Sequence, residues 1–250
     1  PALLSNLLYD VVFLNKLGVR PLIVHGAGKQ IDLEYAKLGL EKKLVDGLRY
    51  TDERGLEVIK SVLKGINQSI DEKIVELGGE SAAFDGVGQF VVKAVKKTIG
   101  STGVPTDYGF VGSVTGVDSK LIELLNEGFI PVLACLGKDE SGQVFNINAD
   151  EVSLGVAKQV GAEKLFFLSD VPGVLANPAD KTTLIPKLSV SEANELIASK
   201  VISGGMIPKV QACLNALGAV NATHLLDGTA SSILDQVFNP DDARGTVFVK

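Results

Sequence analysis

The chain has 250 residues, 46% of them hydrophobic and 22% charged, and its net charge of −6 argues against a nucleic-acid partner, which needs a concentrated basic surface. No apolar run reaches the roughly 18 residues that cross a bilayer, and the apolar start up to Leu17 lacks the basic residues of a signal peptide. This composition predicts a globular protein with a large core, built as one domain or two closely joined lobes.

The predicted elements alternate between strands and helices along the whole chain. Apolar residues recur at helical spacing up to Leu17, Gly18 is a plausible C-cap, and Asp52 is a plausible N-cap. Residues 100–112 read as a loop or β-ribbon. The alternation predicts an α/β protein with a doubly wound, mostly parallel open sheet flanked by helices. In chain order the predictions are helix 3–17, strand 21–24, helix 30–38, helix 52–63, strand 90–95, helix 120–126, strand 130–134, helix 151–160, strand 164–168, helices 191–198 and 207–217, and strands 223–226 and 246–249.

The cysteines and histidines do not form a recognisable metal motif. Cys135 and Cys213 both lie inside apolar, periodic segments, which favours buried, reduced thiols and a cytoplasmic protein. His25 and His224 are the two histidines of the chain. Two cysteines and two histidines in these contexts give no convincing zinc site, so no metal ligand is predicted.

A glycine-rich turn follows the first predicted strand. His25-Gly26-Ala27-Gly28 lies between a strand and a helix, where ligands bind in open α/β sheets. Small residues let backbone N–H groups approach an anion, and the N-terminus of the next helix adds positive potential. A simple strand–helix turn explains the same residues equally well.

A single arginine follows the turn Asp46-Gly47. A guanidinium group can pair with a carboxylate through two parallel hydrogen bonds, which lysine cannot reproduce, so Arg49 is a candidate carboxylate ligand. Without further context, a solvated loop arginine is the simpler interpretation.

Several polar residues lie at the starts of helices or the ends of strands in the second half. Asn146 can be a turn residue or a cap, and Asp150 a cap or first-turn acid. Lys209 follows Pro208, which suits the first turn of a helix, and taken alone it reads as a surface lysine. The stretch from Ser169 to Leu175 reads as a turn after a strand.

These pieces together resemble a known family. Asn146-Ile147-Asn148-Ala149-Asp150, Ser169-Asp170-Val171-Pro172-Gly173-Val174-Leu175 and Gly204-Gly205-Met206-Ile207-Pro208-Lys209 have the order and spacing of the N-acetylglutamate kinases of the amino acid kinase family. The Gly-Leu-Arg-Tyr-Thr string that contains Arg49 is similar as well. The family's usual His-Gly-Gly-Gly turn carries Ala27 here, which can still donate its N–H if its φ is negative.

The resemblance implies an enzyme that phosphorylates the side-chain carboxylate of N-acetyl-L-glutamate with ATP and Mg²⁺, in arginine biosynthesis. A carboxylate nucleophile needs no general base, so alignment and charge neutralisation suffice. The implied catalytic residues are Lys209, which stabilises the phosphoryl group, and Asp150, which organises it. The implied substrate-binding residues are Gly26, Ala27, Gly28, Arg49 and Asn146. The implied nucleotide-binding residues are Ser169, Asp170, Gly173, Val201, Ile202 and Ser203.

The resemblance also carries expectations about organisation. It implies an acylamino-acid-binding and dimerisation lobe (1–140), a nucleotide-binding lobe (141–250) and a homodimer or higher homo-oligomer. The family places a strand and a Lys-x-Gly-Gly loop before the position of Pro1, so we expect a missing N-terminal segment, which leaves the activity of the chain as given open. Two alternatives remain: a sister kinase for a modified aminoadipate, and a non-catalytic amino-acid-sensing domain.

The resemblance bears on regulation too. In arginine-inhibited members, a C-terminal pattern supplies the regulatory site, and His224, Asp227 and Gly228 match it. Gln236 replaces an acidic residue, and the loop 242–246 is altered, so we expect L-arginine to be a poor inhibitor.

Overall fold

The computed structural model describes residues 2–100, 102–228 and 245–250. These residues form two compact units, which we call the first unit (Val12–Val160) and the second unit (residues 2–11 with the described part of Gly161–Lys250). Along the chain, the boundary between the two units falls between Val160 and Gly161, whereas the boundary between the predicted lobes falls between residues 140 and 141. The helix that carries Asp150 therefore belongs to the first unit, and the roles assigned to the lobes stay predictions.

The first unit contains a parallel sheet, a second sheet of mixed direction and a short hairpin. The helix α1 (Ala2–Lys16) contributes residues to both units. The other elements of the first unit are β1 (Ile23–His25), α2 (Gly28–Lys37), β2 (Leu44–Val45), β3 (Leu48–Arg49), α3 (Glu53–Glu76), β4 (Ser81–Phe84), β5 (Val92–Lys96), β6 (Gly112–Val117), α4 (Lys120–Asn126), β7 (Ile130–Ala134), β8 (Leu136–Lys138), β9 (Val144–Asn146) and α5 (Ala149–Val160).

The parallel sheet of the first unit has the order β1-β7-β4. Every residue of the central strand β7 is buried, as expected for a strand covered on both faces. Beside it, the second sheet has the order β6-β5-β8-β9. The strands β5 and β6 are antiparallel, as are β8 and β9, while β5 and β8 pair in parallel. Apolar side chains from both sheets, α4 and α5 form one core, which includes Leu121, Leu133 and Val152.

The second unit contains one sheet with the order β10-β12-β13-β11. Pairs β10–β12 and β11–β13 are parallel, and β12–β13 is antiparallel. Its core contains Val210, Cys213 and Phe248, all fully buried. The elements are β10 (Lys164–Ser169), a 3-10 turn (Lys181–Thr183), β11 (Lys187–Ser189), α6 (Val190–Ala198), α7 (Met206–Ala216), β12 (Ala222–Asp227) and β13 (Gly245–Val249).

The α/β class with parallel-rich sheets flanked by helices is confirmed. Asp52 caps α3 by accepting a hydrogen bond from the Gly55 N–H at 2.7 Å, but the helix continues to Glu76 rather than ending near Leu63. The predicted strand 21–24 is displaced to Ile23–His25, so His25 belongs to the strand. Both cysteine side chains are buried, as predicted.

Among the residues described, none of the helices combines the length and apolarity needed to cross a membrane. The regulatory residues Gln236 and 242–244 lie outside the described residues, so weak control by arginine stays a prediction.

Candidate functional site

A cleft of about 230 Å³ in the first unit brings together all five residues that were predicted to bind the substrate. It lies at the carboxyl ends of β1 and β7, where ligands bind in open α/β sheets. The lining residues are Gly26, Ala27, Gly28, Ile31, Gly47, Leu48, Arg49, Leu63, Val111, Cys135, Asn146, Ile147, Asn148 and Ala149.

The turn Gly26-Ala27-Gly28 forms one wall of the cleft and leads into α2. Ala27 has a φ of −150°, so the methyl group is accommodated without strain, and its carbonyl accepts the first helical hydrogen bond from Ile31 at 2.8 Å. The helix has no acidic residue in its first turn and no side-chain cap at Ala27. Its N-terminal end therefore keeps the positive potential that favours an anion.

Arg49 lies at the end of the hairpin β2–β3, whose turn residues Asp46 (φ 49°) and Gly47 (φ 78°) both have the left-handed conformation that a tight hairpin requires. Its side chain is 11% exposed. The guanidinium group lies over the Tyr35 ring at 4.9 Å, and its Nη2 donates to Asp32.

Only part of the Arg49 guanidinium group is used by the protein. Its Nη1 atom is buried and has no hydrogen-bond partner among the residues described. Burial opposes ionisation of Asp32, but Lys42 and Arg49 outweigh this effect and hold the pKa of the carboxyl below its usual value. Arg49 is thus a fixed, charged group with unused donor capacity, which suits a carboxylate ligand.

Asn146 lies at the end of β9 and is joined to Arg49 through a residue that sequence reasoning did not single out. Its Nδ2 donates to the hydroxyl of Thr51 at 3.1 Å, and that hydroxyl donates to the carbonyl of Arg49 at 2.9 Å. Thr51 is fully buried. It belongs to the Gly-Leu-Arg-Tyr-Thr string, which was the available signal, but its partners depend on the fold.

Asp150 lies in the first turn of α5. The cap of this helix is Asn148, whose Oδ1 accepts from the N–H groups of Asp150 and Glu151 at 2.8 and 3.2 Å, so Asp150 is not the cap. Asp150 as a whole residue is exposed, yet protein packed around its carboxyl displaces water from that group and thereby raises its pKa. The role of Asp150 as an organiser of charge stays a prediction.

Two further groups beside the cleft are held in neutral forms. Burial raises the pKa of Cys135 to about 12, and its thiol donates to the His25 carbonyl at 3.0 Å. A thiol so far from ionisation is a poor nucleophile. Burial lowers the pKa of His25 to about 4, an effect that the backbone of Gly26 partly offsets. The polar groups of the cleft therefore favour binding and alignment over covalent catalysis.

In the second unit, Lys209 contacts the predicted nucleotide-binding residues at the end of β10. It lies in the first turn of α7, and its Nζ donates to the Ser169 hydroxyl at 2.5 Å and to the Asp170 carboxylate at 3.0 Å. The Lys209 side chain is 35% exposed, so solvent and a ligand can reach it. The structure thus joins one predicted catalytic residue to two predicted nucleotide-binding residues.

Two of the remaining predicted nucleotide-binding residues, Gly173 and Ile202, are buried. Gly173 is buried, and a Cβ there would lie 2.8 Å from the Thr246 hydroxyl, so its small size serves packing. The Ile202 side chain belongs to the core of the second unit, while Ser203 is exposed. Any contact of Ile202 with a nucleotide must therefore come from its backbone.

The described parts of the chain contain no group of three or more His, Cys, Asp or Glu side chains placed to hold a metal ion. Mg²⁺ commonly rests on one or two carboxylates and on the phosphates of a bound nucleotide rather than in an all-protein cage. The donor set here therefore fits a metal ion only as part of a nucleotide complex.

The fold is that of an α/β protein, and its cleft at the carboxyl ends of the strands carries groups that suit a small anionic ligand. Comparison with known proteins makes the assignment specific. The model of the amino acid kinase family matches residues 1–225, and the chain belongs to this family.

Similar proteins support this membership. The acetylglutamate kinase of Methanosphaera stadtmanae is 39% identical over 245 residues, covering 94% of this chain and 82% of that protein. The acetylglutamate kinase of Nostoc sp. is 42% identical, covering 98% of this chain and 82% of that protein. Among solved structures, N-acetylglutamate synthase from Neisseria gonorrhoeae, complexed with coenzyme A and N-acetyl-glutamate, is 25% identical with a TM-score of 0.86; the match covers all of this chain but only 56% of the synthase chain.

Proposed function

We propose that the protein transfers the γ-phosphoryl group of ATP to the side-chain carboxylate of N-acetyl-L-glutamate, giving an acyl phosphate and ADP for arginine biosynthesis. The observation that carries the proposal is the cleft that joins Gly26–Gly28, Arg49 and Asn146, in a chain about 40% identical to acetylglutamate kinases. A carboxylate oxygen attacks the γ-phosphorus, and the bond from that phosphorus to the β-phosphate oxygen breaks. The nucleophile is already an anion, so no group has to remove a proton.

Each residue of the cleft has a physical part in this proposal. Arg49 would bind the α-carboxylate through the donors that Asp32 leaves unused. Asn146 would hydrogen-bond the acylamino group. The N–H groups of Ala27 and Gly28 would donate hydrogen bonds on the side of the cleft where the carboxylate attacks the phosphoryl group. Alignment by these groups can supply much of the rate enhancement.

The nucleotide would be bound by the second unit. Lys209, held by Ser169 and Asp170, would neutralise charge on the phosphoryl oxygens as it develops. Mg²⁺ would be held mainly by the phosphates of ATP and would supply further positive charge there. Asp150 would keep the lysine charge in position, and Gly173 and Val201–Ser203 would contact the base and sugar. A cytoplasmic homodimer or higher homo-oligomer remains the proposed state.

A panel of acceptors tests the function. Release of ADP by the full-length gene product should be fastest with N-acetyl-L-glutamate, slower with N-acetyl-L-2-aminoadipate and near background with L-glutamate. Preference for the aminoadipate derivative would support the sister kinase instead. If calorimetry shows that N-acetyl-L-glutamate binds but no acceptor gives ADP, the sensing domain is the better account.

A further inference from the structure

A buried threonine joins the two residues, Arg49 and Asn146, that we propose bind the amino-acid substrate. Thr51 follows β3 and is 0% exposed. Its hydroxyl group donates to the carbonyl of Arg49 at 2.9 Å and accepts from Nδ2 of Asn146 at 3.1 Å. The hydroxyl therefore couples the position of the candidate carboxylate ligand to the position of the candidate amide ligand.

The directions of these two hydrogen bonds determine which end of the Asn146 amide faces Thr51. A hydroxyl group has a single hydrogen, and the carbonyl of Arg49 can only accept, so that hydrogen is donated to Arg49. The Thr51 oxygen is then only an acceptor towards Asn146, and the amide group that faces it must be the NH₂. The Oδ1 atom of Asn146 remains available, since no residue in the described ranges donates to it.

Thr51 is itself held firmly by a neighbouring segment. Its N–H donates to the Tyr108 carbonyl at 3.1 Å, and its carbonyl accepts from the Phe110 N–H at 2.6 Å. The backbone N–H of Asn146 donates to the Phe110 carbonyl at 2.9 Å, so the same segment also fixes Asn146. Threonine is stiff about its first side-chain torsion. Reversal of the amide would place its oxygen against the lone pairs of the Thr51 hydroxyl and is therefore unfavourable.

Resting on the proposed function, we propose that Thr51 is a positioning residue that makes the cleft selective for a ligand with an N–H donor. By accepting from the NH₂ of Asn146, it fixes the orientation of the amide, so that Oδ1 lies on the side away from Thr51 and can accept from the ligand. An acylated amine, which is a secondary amide, offers the complementary N–H. An ester at the same position has an oxygen without a hydrogen. That oxygen can only accept, so it would face the acceptor Oδ1 of Asn146 without a hydrogen bond. Thr51 thus selects the acylamino group without touching it.

The test compares two ligands that differ at this one atom. Isothermal titration measures the dissociation constants of N-acetyl-L-glutamate and of 2-acetoxyglutarate, its ester analogue, for the wild-type full-length protein and for Thr51→Val, Thr51→Ser and Thr51→Ala. Thr51→Val keeps the shape but removes the hydroxyl group, and Thr51→Ser keeps the hydroxyl group. Thr115→Val, at an exposed position of β6, is the matched control.

The wild-type protein should prefer the amide over the ester by roughly 100-fold, because an unpaired buried polar group is costly. In Thr51→Val, the amide ligand should bind roughly tenfold more weakly and the preference should fall by about tenfold or more, since Asn146 can then reverse. Thr51→Ser and Thr115→Val should keep the preference.

Other outcomes separate this inference from the proposed function. A wild-type protein that binds N-acetyl-L-glutamate, with a preference unchanged in Thr51→Val, overturns the inference alone. If Thr51→Val does not fold, an unchanged preference in Thr51→Ala has the same meaning. Equal weakening of both ligands makes Thr51 merely structural and also overturns it. A wild-type protein that binds neither ligand overturns the proposed function and the inference with it.

Discussion

At the scale of single residues, the guanidinium group of Arg49 is only partly used by the protein itself. Its Nη2 is paired with Asp32, while Nη1 is buried without an acceptor in the described part of the chain. The ammonium group of lysine is a compact charge and lacks the planar, spaced N–H donors that would bind a ligand carboxylate and Asp32 together. We therefore expect Arg49→Lys to weaken binding of N-acetyl-L-glutamate by about 1–3 kcal/mol and to leave ATP affinity unchanged, as measured by calorimetry.

The matched control for this substitution is Arg54→Lys. Arg54 is an exposed residue of α3 that makes one 3.5 Å contact with the Leu38 carbonyl. The Arg54→Lys variant should bind N-acetyl-L-glutamate and ATP with the affinities of the wild-type protein. Unchanged affinity of Arg49→Lys for the amino acid would remove Arg49 from the binding site.

A second prediction at this scale concerns His224 and pH. The ring is 1% exposed and stacks on Phe166 at 4.5 Å. Burial, and to a smaller extent Lys164, lowers the pKa of His224 to about 4. An unfolded histidine has a pKa near 6.5, so the unfolded state binds more protons between these values. The contribution of His224 to the free energy of unfolding is therefore fully present above about pH 6.5 and is lost as the pH falls towards 4.

Urea unfolding at about pH 7 and pH 5 measures this dependence. At the lower pH, the free energy of unfolding should fall by on the order of 1–2 kcal/mol on account of His224. His224→Phe removes the titrating group and keeps an aromatic ring against Phe166. Its loss of stability between the two pH values should be smaller by that amount, and an equal loss in both proteins would contradict the assignment. His25, whose pKa is also lowered to about 4, adds a similar dependence in both proteins.

At the scale of elements, the segment that crosses Thr51 requires a glycine. Gly109 has a φ of +69°, and a Cβ there would lie 2.1 Å from the Thr51 carbonyl oxygen. Gly103, in the same loop, has a φ of +79° with nothing within 4 Å. Both alanine variants carry the cost of a left-handed conformation, but Gly109→Ala adds a backbone collision.

Chemical unfolding of the two variants isolates this collision. Gly109→Ala should lower the free energy of unfolding by at least about 2 kcal/mol more than Gly103→Ala does. Because Thr51 and Asn146 are fixed by this segment, affinity for N-acetyl-L-glutamate should fall as well. Equal stability of the two variants would show that the segment does not hold Thr51.

The elements also show what the sequence allowed us to predict. Helices with strong apolar periodicity, such as α4, were placed correctly, and the buried strand β7 was recognised from its continuous apolar run. The end of α3 was misplaced, because Asn67 and its polar neighbours resemble a loop. In the fold Asn67 is fully buried and donates to the Val132 carbonyl at 3.1 Å and to the ring of His25 at 3.0 Å.

Short strands such as β8 and β9 were missed for a related reason. Each has three residues, too few for a periodic pattern, and each is stabilised by pairing with distant segments. The same limit applies to the site. Motifs indicated Arg49 and Asn146, but the hydroxyl that joins them and the carboxylate of Asp32 are known only from tertiary contacts.

At the scale of the whole molecule, we propose that the first unit binds the amino acid and that Lys209 of the second unit serves phosphoryl transfer. The main rival is the non-catalytic amino-acid-sensing domain, the alternative in which this fold binds an amino acid without chemistry. A domain that only binds an amino acid has no need for a lysine that contacts Ser169 and Asp170. The consequences of removing that lysine therefore separate the two accounts.

The most direct measurement is formation of the acyl phosphate, trapped with hydroxylamine as a hydroxamate, from N-acetyl-L-glutamate and ATP by the full-length gene product. The wild-type protein and Lys181→Ala, an exposed lysine in the same unit, should form it at similar rates. Lys209→Ala should form it roughly 10²–10³-fold more slowly, with nearly unchanged binding of N-acetyl-L-glutamate. No hydroxamate from the wild-type protein, or a Lys209→Ala rate within a few-fold of it, would contradict the account.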